Sequence, residues 1–486
     1  MRIVKSNLVG PERWSPEKAW KWYRNRPWIV GFNYVPSYAT SSTDIWQKEK
    51  WNARTIDREL RWAEGLGFNS LRIFLQYIVW KDDPKGFMTR FERFLEIADK
   101  HGIQVMPVFF DDCAFGNPPQ SDPYLGKQRD LIPGQIAPCW TPSPGRKLAL
   151  DPGERPMLEK YVREIVKAYG GDDRILLWDL FNEPMNAAQT GTAGFLREIN
   201  RWARAEKPSQ PISTGVWGDG LASELNRVMV ETSDVVSFHV YADRAGLYRR
   251  IQEMKSAGYP VICTEWMARL LGSSYADDLP LLKEEGVGCF NWGLVNGGMQ
   301  CQYPWWNPVG GPEPERWFHD LFHSDGRPYD GAEHAVVRTL TVDKKINWRA
   351  GDFTKMRTTP GLLAHVENRI SYSDGWERYE GDGPRGGMLH FSATPGATVT
   401  RTLPYPAAAA HVVFKAGPDC GIAKIYVDGM PAPIAEVDLY APEVDWNRRV
   451  VVAEGIPAGF HPVTVEVTGR RNTKSSDYWV QVVEIE

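Results

Sequence analysis

Two textures divide the chain. Up to about residue 337, short apolar runs alternate with segments whose apolar positions recur every three to four residues. The runs are Trp28–Asn33, Ser70–Leu75, Gln104–Phe110, Ile175–Phe181, Pro211–Val216, Val235–His239, Pro260–Thr264 and Gly288–Trp292. Between them, Thr55–Leu66 puts Ile56, Leu60, Ala63 and Leu66 on one face. Thr89–His101 does the same with Phe91, Phe94, Leu95 and Ala98, and stops at Gly102. Met157–Tyr169 and Ala193–Glu206 follow suit. Short apolar strands alternating with helices predict parallel βαβ units, and eight of them in about 300 residues predict a (β/α)8 barrel over 27–337, after a helical lead-in over 1–26. A doubly wound open sheet is the alternative; its usual glycine-rich phosphate loop does not follow the first run.

Beyond Arg338 the helical period disappears. His411–Lys415, Ala423–Val427, Arg449–Val452, Pro462–Val467 and Tyr478–Ile485 read as strands, separated by turn signals such as Asp428-Gly429 and Pro457–Gly459. An antiparallel β-sandwich over 338–486 is the expectation, bracing the barrel or completing its pocket in preference to binding carbohydrate itself. Two connections in the barrel are long, Asp111 to Arg155 and Leu294 to Arg316. Both leave the C-terminal end of a strand, so both are expected to wall a pocket.

The net charge is −4, which gives no basic face for nucleic acid or an anionic membrane, and no apolar run is long enough to span a bilayer. Residues 1–27 lack the apolar centre of a signal peptide. The expectation is a cytoplasmic protein, or a secreted one whose signal has been removed. The six cysteines form no CxxC pair and read as reduced thiols, with Cys263 and Cys289 in the core. Tryptophan changes the picture. There are 21, and 17 precede Arg327, so the barrel has flat apolar faces to offer the C–H side of a pyranose.

The residues at the strand ends suggest what chemistry those faces serve. The second run contains Arg72; the fourth leads into Asn182-Glu183-Pro184; the sixth ends in His239, with Tyr241 two residues on. The seventh leads to Glu265 and the eighth ends in Trp292. The two glutamates are 82 residues apart, three βα units, so both face the same mouth. Glycoside cleavage needs such a pair, one carboxylic acid to protonate the leaving oxygen and one carboxylate at the anomeric carbon. Neighbouring carboxylates split each other's pKa values, and Arg72 is placed to keep Glu265 ionised. Tyr241 offers the same carboxylate a hydrogen bond, and Trp292 a floor for the sugar. Taken singly, each residue has a plainer reading as an ion pair, a packed ring or a solvated loop carboxylate. The joint pattern carries the catalytic one.

That pattern, with Leu71-Arg72, Trp178-Asp179-Leu180-Phe181-Asn182-Glu183-Pro184, His239-Val240-Tyr241, Thr264-Glu265-Trp266 and Asn291-Trp292, resembles the retaining glycosidases built on (β/α)8 barrels, in particular glycoside hydrolase family five and its cellulase-like relatives, over roughly residues 27 to 325. The resemblance implies Glu183 as acid/base, Glu265 as nucleophile, Asn182 on the sugar 2-hydroxyl, and Tyr241 and Arg72 orienting Glu265. It also implies net retention, with the carboxyl groups ~5 Å apart and no cofactor. His239, Trp266 and Trp292 sit in the matching segments as further substrate-binding candidates. The chain departs after the third strand, where many relatives carry a histidine and Phe109-Phe110-Asp111-Asp112 stands instead. Asp111 or Asp112 is expected to hydrogen-bond the terminal, non-reducing sugar, and Asn33 to line the pocket.

The rivals are weaker. A metal-dependent barrel hydrolase needs several histidine or carboxylate ligands at strand ends, and only His239 of the nine histidines falls at one. His319 and His323, four apart on the helix-like stretch Trp317–His323, read as a solvated helix face, so no metal is expected. A serine nucleophile lacks its Gly-x-Ser-x-Gly elbow. A non-catalytic carbohydrate-binding barrel would have no need of both glutamates; a transglycosylase would use the same pair. The partner expected is a carbohydrate, with exo or short-oligosaccharide action if the two long loops close the cleft.

Overall fold

The computed structural model describes residues 13–342 and 344 and, further on, 370–380, 383–384, 388–402, 407–427, 430–459 and 462–485. The chain divides into two compact units, one made essentially of residues up to 354 and the other of those from 355.

The first unit is a parallel barrel. Its strands are β1 (Val30–Asn33), β2 (Ser70–Phe74), β3 (Gln104–Asp111), β4 (Trp178–Asn182), β5 (Ile212–Ser213), β6 (Val236–His239), β7 (Val261–Trp266) and β8 (Gly288–Trp292), each inside or overlapping one of the eight expected runs. The sheet order β5-β4-β3-β2-β1-β8-β7-β6 leaves β5 and β6 at the two edges. Just past β5, Val216 joins them: its N–H donates to Ser237 O (2.9 Å) and its carbonyl accepts from His239 N–H (2.7 Å). Nearly every strand residue is buried, without polar alternation, because helices cover the outer face while side chains fill the inner one.

Helices Ala53–Gly65, Pro84–Lys100, Arg155–Tyr169 and Ala193–Ala205 correspond to the four expected segments. Pro84–Lys100 begins earlier than its apolar stripe shows, because Asp83 caps it by accepting from Gly86 N–H (2.9 Å) and Pro84 occupies the first turn. It ends before Gly102, at φ +65°. The lead-in helix Pro16–Arg24 buries Ala19 and Tyr23. The Tyr23 hydroxyl donates to Gly286 O (3.0 Å) and accepts from Gly288 N–H (2.6 Å), at the start of β8 and so at the end of the barrel opposite its mouth.

The stretch Trp317–His323 corrects the sequence reading. It is not a solvated helix: Trp317, Phe318, His319, Leu321 and Phe322 are buried in irregular and bridged backbone. The carbonyls of Trp317, His319 and Asp320 accept from the Arg269 guanidinium, so those acceptors are unavailable to helical amides. Further on, the helix Gly331–Val342 runs across the expected boundary at 337–338.

The second unit is an antiparallel sandwich. Its strands are β9 (Ile370–Tyr372), β10 (Glu377–Glu380), β11 (Met388–Ser392), β12 (Thr398–Thr402), β13 (Ala407–Ala416), β14 (Ile422–Val427), β15 (Ala435–Asp438), β16 (Asp445–Gly459), β17 (Pro462–Val467) and β18 (Val480–Ile485). They form two five-stranded sheets, β10-β11-β18-β13-β16 and β15-β14-β17-β12-β9. Val412 and Phe414 on one face Ile425, Val463 and Val465 on the other in a common core, and β14 and β17 alternate buried with half-buried positions as a one-sided sheet does. The expected turn Asp428-Gly429 lies outside the described residues. Pro457–Gly459, expected as a turn, instead ends β16; register shifts against β13 between Ala407 and His411 accommodate it.

Candidate active site

The C-terminal ends of β4, β6, β7 and β8 open on a cavity of about 530 Å³ whose lining includes Asn182, Glu183, His239, Tyr241, Glu265 and Trp292. Beneath it Arg72, fully buried on β2, organises the polar groups. Its Nε donates to Asp179 (2.9 Å), one Nη to both Glu265 Oε1 (2.8 Å) and Asn33 Oδ1 (2.9 Å), and the other Nη to Asn182 Oδ1 (2.7 Å). A guanidinium cannot deprotonate, so Glu265 keeps a permanent cation at its side. Its other oxygen accepts from the Tyr241 hydroxyl (2.8 Å). Burial first, and then the two glutamates, push the Tyr241 hydroxyl well above its usual range, so it stays protonated.

Glu183 leaves β4 with φ at +43°, a costly conformation for a residue with a side chain. Asp112 holds the turn that imposes it. One carboxylate oxygen accepts from the N–H groups of Met185 (2.7 Å), Thr190 (2.8 Å) and Gly191 (2.8 Å), and the other from the Thr190 hydroxyl (2.5 Å). So placed, Glu183 accepts from His239 Nδ1 (2.9 Å) at one oxygen and from Asn186 Nδ2 (2.6 Å) and the Cys113 thiol (3.2 Å) at the other. His239 Nδ1 also lies 3.6 Å from Glu265. One oxygen of each glutamate and one ring nitrogen of His239 fall within 4.8 Å of one another. Three such ligands suit a cation in spacing, but Arg72 against Glu265 already supplies the positive charge there. Gly215 admits the histidine, since a Cβ there would lie 2.9 Å from His239 Nε2.

Burial pushes the Glu265 carboxyl above its ordinary range; Glu183 adds to this, while His239, Arg72 and Tyr241 oppose it. At Glu183, burial is outweighed by His239, and then by Cys113 and Asn186, which hold the carboxyl below its usual range. Burial keeps Cys113 a neutral thiol.

Four expected substrate or pocket contacts lie elsewhere. Asp111 is buried and accepts from Cys113 N–H (2.9 Å), Asn182 Nδ2 (2.8 Å) and Trp140 Nε1 (2.7 Å). Burial pushes its carboxyl up to about 7, and it braces the cavity wall from behind. Asp112 is occupied with the Glu183 turn. Neither lines the cavity: the carboxylate oxygens of both are taken up by donors of the surrounding loops and of Asn182. Trp266 is buried edge-on against Tyr275 (ring centroids 5.2 Å), facing the helices. Asn33 also lies behind the cavity, joining Arg72 to Thr264 O (2.8 Å).

The cavity contains groups absent from the sequence reading. Cys113 and Asn186 came with no pattern of their own. Trp217 stands just after the fifth run, a strand-end position that could have drawn notice, and His319 was assigned to a solvated face. The two long loops do wall the cavity, through Phe115, Ile136, Ala137 and Trp140 from one and Met299 and Trp305 from the other. They are also tied together. Ala137 N–H donates to Met299 O (2.7 Å), Gln300 Nε2 to Ile132 O (2.9 Å) and Gln135 O (2.8 Å), and Asn307 Nδ2 to Gly134 O (2.8 Å).

A parallel (β/α)8 barrel with two glutamates, an arginine and aromatic walls at its mouth falls in the class of barrel glycoside hydrolases. The chain belongs to glycosyl hydrolase family 5: the model of that family, described as Cellulase, matches residues 30–298. Among solved structures it is similar to an exo-β-1,4-mannosidase from Opitutaceae bacterium strain TAV5, at 18% identity over 66% of this chain and 60% of that one, with a TM-score of 0.46. It is similar to an endo-β-1,4-mannanase from Thermotoga petrophila, at 12% identity over 93% and 100% of the two chains, TM-score 0.46. A family 5 mannosidase from Rhizomucor miehei aligns at 15% identity over 70% and 94%, TM-score 0.42. No curated protein sequence matches the chain.

Proposed function

We propose that the protein is a retaining β-glycosidase acting on chain ends or short oligosaccharides. Glu265 is the nucleophile and Glu183 the acid/base. The observation that carries this is the approach of one oxygen from each glutamate to within 4.8 Å, which accords with the ~5–5.5 Å of direct attack by a carboxylate and falls short of the ~6.5–9.5 Å used when a water attacks from the far face of the sugar.

The donors support these roles. Glu265 is served by a guanidinium that never loses its charge and a hydroxyl that stays protonated, which favours a carboxylate. Glu183 has no guanidinium among its hydrogen-bond partners, and two like charges this close do not both persist in a buried site; the proton of the pair is therefore assigned to Glu183, and the permanent cation beside Glu265 keeps that group the carboxylate. Glu265 attacks the anomeric carbon as the C–O bond breaks and Glu183 passes its proton to the leaving oxygen. Glu183 then takes a proton from water, whose oxygen displaces Glu265 with net retention. Trp292 and Trp217, both half-buried, supply apolar faces for the sugar. The tied loops support action at chain ends, since they wall one side of the cavity. The carbohydrate is the partner; neither a metal nor an organic cofactor enters these steps.

A panel of 4-nitrophenyl β-glycosides with gluco, galacto, manno and xylo configuration tests the activity. Glu265→Ala is expected to lower kcat roughly ten-thousand-fold. Azide is expected to rescue Glu183→Ala with a glycosyl azide of retained configuration, and a 2-fluoro glycoside to leave one sugar on Glu265. Wild-type rates in both variants would sink the assignment.

A further inference from the structure

One buried group at the cavity takes no part in the two-glutamate chemistry. His319 lines the cavity yet is only 1% exposed. Its Nδ1 lies 2.5 Å from Met267 O, a contact that requires a proton on Nδ1. Its backbone N–H donates to Cys301 O (3.0 Å), and its carbonyl accepts from Arg269. The tautomer is therefore locked, and Nε2 is a bare lone pair that meets no partner among the described residues. Burial above all, with Arg269 adding to it, pushes the imidazole down to about 3, so this nitrogen remains an acceptor at every ordinary pH.

The surroundings suit a sugar. The ring sits beside Tyr241 (centroids 5.7 Å), which holds Glu265, and under Trp305 (6.0 Å), which is 42% exposed and meets Tyr241 edge-on at 5.1 Å. A buried acceptor without a partner is a standing cost in the empty protein, relieved when a bound molecule brings a donor. Carbonyls and ethers cannot bring one; a hydroxyl can.

We propose that His319 Nε2 accepts a hydrogen bond from one hydroxyl of the sugar bound beside Tyr241 and Trp305, and so selects substrates that carry a free hydroxyl at that position. This rests on the glycosidase reading and adds to it a recognition residue with a defined polarity. An acceptor held in one tautomer discriminates against a substrate in which that hydroxyl is absent or substituted, because the nitrogen then stays buried and unpaired.

The test compares the best-cleaved 4-nitrophenyl β-glycoside with its 2-, 3-, 4- and 6-deoxy forms, on wild type, His319→Phe and His319→Gln, with melting temperatures to confirm folding. In wild type, loss of one particular hydroxyl is expected to lower kcat/KM by roughly 10- to 100-fold beyond its effect in His319→Phe, mainly through KM. His319→Gln, whose amide oxygen can accept, is expected to restore part of that discrimination. If every deoxy sugar falls by the same factor in wild type and in folded variants, the recognition role is overturned and the glycosidase reading stands. If wild type cleaves none of the four glycosides, both are overturned.

Discussion

What separates the two glutamates is the chemistry of their donors. Glu265 accepts from Arg72 and Tyr241, Glu183 from His239, Asn186 and Cys113. Removing a donor from an ionised carboxylate raises its pKa. Tyr241→Phe is therefore expected to move the acidic limb of kcat/KM, set by the nucleophile, to higher pH by about half to one unit, and to lower the plateau about tenfold or more. Cys113→Ala acts on the other carboxyl. It is expected to leave the acidic limb in place and move the basic limb, where Glu183 loses its proton, upward. Measured pH profiles check both, and the assignment of roles fails if the two variants move the same limb. At this scale the meeting of Glu183, Glu265 and Arg72 was legible because it follows from strand position. Asp111 and Asp112 were misplaced because a carboxylate gives no sign of whether it faces solvent, substrate or a loop amide. Cys113 carried no sign of its place and His319 reads from sequence as part of a solvated face, because the surroundings of both are set by atoms far away in sequence.

Among the elements, the loops after β3 and β8 matter most, and their hydrogen bonds are mutual. Gln300 alone donates to two carbonyls of the opposite loop, at 2.9 and 2.8 Å. Gln300→Ala is expected to cost about 1–3 kcal/mol in urea denaturation and to loosen the wall that carries Ile136, Ala137 and Met299. The expected kinetic sign is a severalfold rise in KM for a 4-nitrophenyl glycoside with kcat nearly unchanged. A fall in kcat with KM unchanged would place the loops in the chemistry itself. The strands were legible as apolar runs because a parallel strand buried on both faces needs little else. The stretch Trp317–His323 was not, because its apolar spacing fits a helix equally well and the deciding partner, Arg269, lies some fifty residues earlier.

For the whole molecule, burial of titratable groups makes stability depend on pH. Burial pushes Asp320 up to about 7 against the pull of Arg269 and Asn296, and its Oδ2 meets no partner among the described residues. The native state thus holds a proton that the unfolded chain, with an ordinary value near ~3.9, releases. The sign is the reverse of a salt-bridged aspartate. Its stabilising effect is full below about pH 4 and is lost as pH rises through about 7. Asp320→Asn is expected to flatten the fall in unfolding free energy between pH 4.5 and 7.5 by on the order of 2–4 kcal/mol, read from urea titrations at the two pH values. Equal slopes in wild type and variant would show that Asp320 is ionised in the folded protein.

Apolar periodicity, turn residues and the even spacing of strand-end groups determined by themselves the barrel, the sandwich and the meeting of the two glutamates at one mouth. These depend on local geometry, in which every βα unit delivers its last strand residue to the same rim. Tertiary structure alone decided which polar groups face the cavity and which support it from behind, which thiol meets Glu183, and that a histidine tautomer is locked beside Tyr241. Those outcomes depend on hydrogen bonds between residues far apart in the chain, and a one-dimensional pattern carries no record of the partner.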